Sequence, residues 1–135
     1  MPFLALHHHR ANPMPDVTLT ITGQINKGSL SQTFAASGVT ANMATAGVAS
    51  VTLELDTSTS AVSTANLGAV GLCFARSLAT ETTHTVSFGR LIGTNLYESV
   101  RLKAGEAAVL RLADGNYAAK SAVAGSRLVL TIYED

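Results

Sequence analysis

The chain has 135 residues, of which 47% are hydrophobic, 13% charged and 5% aromatic, and its formal net charge is zero. That length buries one core, and the charged share is about half that of an average soluble domain. The balance excludes the basic footprint of a nucleic-acid binder and any general attraction to an anionic membrane surface. A near-neutral surface made polar by Ser, Thr, Asn and Gly costs little to desolvate and favours association.

Residues 1–16, "MPFLALHHHRANPMPD", carry all three prolines, an apolar start and no alternation. They read as an N-terminal arm ahead of a single domain over 17–135. Phe3, Leu4 and Leu6 are a liability in water, so they are assigned with His7, His8 and His9 to a protein interface. The histidines, with Arg10, are read as a polar break in the arm. A metal centre needs ligands converging from separate positions, which only a symmetric oligomer meeting at an axis would supply here, so neither metal nor cofactor is expected. "MPFLAL" is too short for a signal-peptide core and no run approaches the roughly 20 apolar residues of a membrane span, so a cytoplasmic site of assembly is expected.

From Val17 onward the sequence alternates. "VTLTITG" puts Val17, Leu19 and Ile21 on one face and threonines on the other. "SVTLELD" does the same with Val51, Leu53 and Leu55, as do "HTVSFGR" with Val86 and Phe88, and "RLVLTIYED" with Leu128, Leu130 and Ile132. These are half-buried antiparallel strands. Turn signals separate them at Asn26–Gly28, Ala36–Gly38, Thr45–Gly47, Lys103–Gly105, Asp114–Asn116 and Ala124–Ser126. Asp114-Gly115 reads as a hairpin turn. "LKAGEAAVLRL", Leu102–Leu112, reads as a solvated hairpin with Ala108, Leu110 and Leu112 on one side of the second strand and Val109 and Arg111 on the other. "GAVGLCFARSL", Gly68–Leu78, is apolar on both parities up to Arg76, as in a strand covered on both faces or a short buried helix. The fold expected is all-β: an antiparallel β-sandwich or jelly-roll-like barrel with an extended N-terminal arm.

The chemistry of catalysis is sparse. Cys73 is the single cysteine, so no internal disulfide forms, and in "VGLCFA" it reads as a small buried hydrophobe. His84 is the one histidine outside the arm and falls on an expected strand beside Thr83 and Thr85, with no orienting carboxylate at a recognisable spacing. Glu54 and Asp56 share an expected strand face that runs into the loop "TSTS" and read as a solvated edge, not an acid–base pair. "GLCFARS" and "GTNLYES" lack the lysine and the strand-to-helix setting of a phosphate loop. No catalytic residue is assigned.

Over residues 65–135 the order of segments is distinctive. It includes Gly71, Arg76 and Leu78, then Val86 and Gly89. Leu102, Lys103, Gly105, Glu106, Ala108, Arg111 and Leu112 come next, then Tyr117, Ala118 and Lys120, and finally Glu134 and Asp135. This succession resembles small virion structural proteins of tailed bacteriophages, with Ser77 standing where asparagine is more usual. The resemblance implies a non-enzymatic virion protein, foremost a head decoration or cement protein that stabilises a capsid by protein–protein contacts. Its implied partners are further copies of itself, as a homo-oligomer such as a trimer, and the major capsid protein or other virion proteins. A tail, neck or fibre component binding a host receptor or another virion protein is the alternative, and low aromatic content weighs against a sugar-binding tip. No nucleic acid and no membrane are expected as partners, and the expected location is the virion.

Overall fold

A computed structural model describes residues 14–135. The chain divides into two compact units, one ending at Asn42 and the other spanning Met43–Asp135.

The first unit holds two long strands, β1 (Val17–Lys27) and β2 (Leu30–Ala41), paired antiparallel from Val17↔Ala41 to Lys27↔Leu30. Threonine and β-branched alternation favours the pleat, and Gly28, at φ +57°, takes the left-handed conformation that a two-residue connection demands. The Ala36–Gly38 signal, expected to end a strand, instead makes a β-bulge. Register shifts between Leu19, opposite Val39, and Ile21, opposite Ala36, with Gly38 at φ +67° absorbing the extra residue. The bulge keeps apolar residues of both strands on one face, because without it Val39 and Ala36 would point to opposite sides.

The second unit contains β3 (Val48–Leu55), β4 (Ser60–Val62), β5 (Val70–Ser77), β6 (Val86–Ile92), β7 (Asn95–Leu102), β8 (Ala107–Arg111), β9 (Tyr117–Ser121) and β10 (Ser126–Glu134). They form two four-stranded antiparallel sheets, ordered β3-β10-β5-β8 and β4-β9-β6-β7. Inward residues of both sheets build one core: Leu55, Cys73, Ala75, Leu128, Leu130 and Ile132 from the first, Val62, Val86, Phe88 and Tyr117 from the second. The alternation expected for Leu128, Leu130 and Ile132 is realised in β10, which lies between β3 and β5.

The expected antiparallel β-sandwich or jelly-roll-like barrel is therefore corrected. The chain is all-β and antiparallel, but its strands are divided over three sheets, and none closes into a barrel or curls strongly. Among the described residues β1 and β2 pair only with each other, and alternation, which signals a strand, carries no information about which partner it takes.

Two connections differ from expectation for a related reason. Lys103–Glu106 is a turn, closed by Glu106 N–H on the Lys103 carbonyl (3.1 Å) and Lys103 N–H on the Glu106 carboxylate (2.8 Å), with Gly105 at φ +76°. Yet β7 and β8 belong to different sheets, so it is a crossover and not a hairpin. Asp114–Asn116 likewise carries the chain from β8 in one sheet to β9 in the other. Turn chemistry fixes the bend, whereas the partner is set by which residues must reach the core. Gly68–Leu78 contains a strand, β5, but Cys73, Ala75 and Ser77 face inward while Phe74 and Arg76 are exposed, so only one face is covered.

Candidate functional site

The interface residues assigned in the arm, Phe3, Leu4, Leu6, His7, His8 and His9, lie outside the described residues. Cys73 is fully buried in β5, and burial pushes its thiol up to about 11, so it is held protonated in the core. His84 lies not on a strand but in the loop before β6, where its N–H donates to the Glu81 carbonyl at 3.0 Å. Threonines on either side suggested a strand, but β6 begins only at Val86, the first residue of that stretch to reach the core. Asp56 lies just past the end of β3 and accepts the Ser58 N–H at 2.7 Å, a local turn that separates it from Glu54 on the strand. Among the described residues no group of three or more His, Cys, Asp or Glu converges as a metal site.

Two features remain that offer a surface to something else. The first is the apolar face of the β1–β2 hairpin. Period two places Val17, Leu19, Ile21 and Ile25 on one side, and the register sets Ala41, Val39, Ala36, Phe34 and Leu30 on the same side. The opposite side carries Thr18, Thr22, Gln24 and Asn26 against Thr40, Thr33 and Ser31, with Ser31 Oγ donating to Asn26 Oδ1 at 2.8 Å. The Phe34 ring lies across Gly23, where a missing side chain leaves room for it. This face has the pattern of a core-facing sheet, but Phe34 is 54% exposed, Ile25 and Leu30 are each 47% exposed, and Val39 and Ile21 are exposed as well. A two-stranded hairpin without a covered face is marginal in water.

The second feature is a cavity of about 290 Å³ in the unit Met43–Asp135, lined by residues of β6, β7, β8 and β9 and by Leu112 and Ala113. Gly89 sits opposite a bulge at Ser99 of β7, where a side chain would strike the backbone of Tyr97 and Ser99. Phe88 and Tyr117 stack at 5.6 Å, and the Tyr117 hydroxyl donates to the Ala113 carbonyl. Arg90 lies 5.8 Å from the centre of the Tyr117 ring and packs its guanidinium against Gly115, which has no side chain to block it. The Arg90 Nε is buried with no hydrogen-bond partner among the described residues, an arrangement that costs roughly 1–3 kcal/mol. Arg111, across the cavity, is committed to Asp135 at 2.8 Å.

The sequence assigned neither feature. Alternation in "VTLTITG" identifies the apolar face, but not that Ile21, Ile25, Leu30, Phe34 and Val39 would be exposed on it. Nothing local marks Arg90, because its setting depends on β6 pairing with β9. Comparison with protein-family models, with curated proteins and with solved structures gives no match.

Proposed function

We propose that the protein is a non-enzymatic virion structural protein that works by assembling with copies of itself, foremost as a head decoration or cement protein. The observation that carries the assembly is the uncovered apolar face of the β1–β2 hairpin. The resemblance of residues 65–135 to small virion proteins of tailed bacteriophages supplies the particle.

Other copies are the occupant that the hairpin geometry favours. Among the described residues each strand pairs with a single neighbour, so both outer edges offer backbone amide and carbonyl groups of matching length to an identical hairpin. Two strands of eleven and twelve residues present a face roughly 36 Å by 10 Å. One such face against one other falls short of the roughly 800 Å² per partner of a stable pair. A hairpin touching two neighbours, face and edge, makes up the difference, and a closed ring of three is the smallest arrangement that gives every copy two neighbours. A ring seated on a shell would then gain further from its several simultaneous contacts.

The test is co-sedimentation of the purified protein with expanded capsid shells and, separately, with isolated tails from the same particle. The decoration reading predicts saturable binding to shells and none to tails. Binding to tails alone would replace it with the tail, neck or fibre reading.

A further inference from the structure

We propose that the cavity at Arg90 is a binding site for a small organic carboxylate with an apolar body. The site belongs to the unit Met43–Asp135 alone and does not rest on the assembly reading. At about 290 Å³ the cavity lies at the small end of ligand sites, a size suited to a single ring or a short acyl chain. Phe88, Leu110, Leu112 and Tyr117 give it apolar walls. Arg90 contributes the one cation in the lining that no carboxylate neutralises among the described residues, because Arg111 is paired with Asp135.

The guanidinium is already positioned. Tyr117 and Gly115 hold it, so little side-chain entropy remains to be lost on binding. Its Nε has no partner among the described residues, and in a planar guanidinium the Nε–H and one terminal N–H lie side by side. That fork matches the two oxygens of one carboxylate. A doubly charged phosphate asks for more than one free cation and for polar walls, neither of which the cavity offers. The ligand's carboxylate therefore sits on Arg90, with its apolar part against Leu110 and Leu112.

The experiment is titration of the ¹⁵N-labelled full chain with benzoate, with benzamide as the neutral isostere and with inorganic phosphate. Benzoate is expected to shift the Arg90 Nε–H resonance and the Gly89, Leu112 and Ala113 amides saturably, while benzamide and phosphate do not saturate over the same range. Arg90→Gln is expected to weaken benzoate by about tenfold or more, the loss of a charge-assisted pair, with Arg90→Lys in between. The proposal is overturned if benzamide or phosphate binds as tightly as benzoate, if benzoate gives no saturable shift at the cavity, or if folded Arg90→Gln binds benzoate like the parent. Comparing ligands on the unmodified chain keeps the test independent of how any variant folds.

Discussion

Gly89 shows how tightly single residues are constrained in the second unit. A Cβ there meets the Tyr97 carbonyl and the Ser99 amide, both backbone, so Gly89→Ala should destabilise the unit by about 2–3 kcal/mol in urea unfolding. An unchanged midpoint would mean that β7 moves aside freely. Cys73 is governed by burial in another way. Burial pushes its thiol up to about 11, so native protein at pH 8 should resist iodoacetamide while unfolded chain reacts. On the surface, Arg101 forms a two-pronged pair with Glu98, at 2.6 and 2.9 Å, and holds the Glu98 carboxyl below its ordinary range. A depressed carboxyl contributes stability that is present above its unfolded value and lost as pH falls through the folded one. Arg101→Ala should therefore move the Glu98 titration upward toward ordinary glutamate, read by NMR, with little change in stability because the pair is exposed.

At the scale of elements, strands were more legible than their partners. Val17, Leu19 and Ile21, and likewise Leu128, Leu130 and Ile132, declare their faces through period two, which is a local property. Gly105 and Gly115 declare bends for an equally local reason, the positive φ that a side chain resists. The path of the chain after a bend is not local. Leu102 and Ala107 flank a turn that looks like a hairpin, but the chain crosses between sheets because inward residues on both sides serve one core. Ser37-Gly38 was legible as irregular, though not as a bulge, since a bulge exists only relative to the strand opposite. The hairpin face yields its own prediction. Ile25→Thr with Phe34→Thr should change the unfolding free energy of the unit Met43–Asp135 by no more than about 0.5 kcal/mol, since neither residue belongs to its core. A larger loss would give the hairpin a part in holding that unit together.

For the molecule as a whole, low charge and a hydroxyl-rich surface lead to the expectation of a protein that associates, and the exposed apolar face of the β1–β2 hairpin is the surface proposed for it. The Arg90 cavity was invisible beforehand because its parts come from strands that meet only in the fold. The proposed self-assembly rests above all on the apolar hairpin face. Its most direct test is the mass of the full-length protein in solution by light scattering over a range of concentrations, beside Ile25→Thr/Phe34→Thr. Assembly through this face predicts a discrete oligomer of three or more copies for the parent chain and a folded monomer for the variant. A parent chain that stays monomeric throughout, or a variant that keeps the parent's mass, would contradict it.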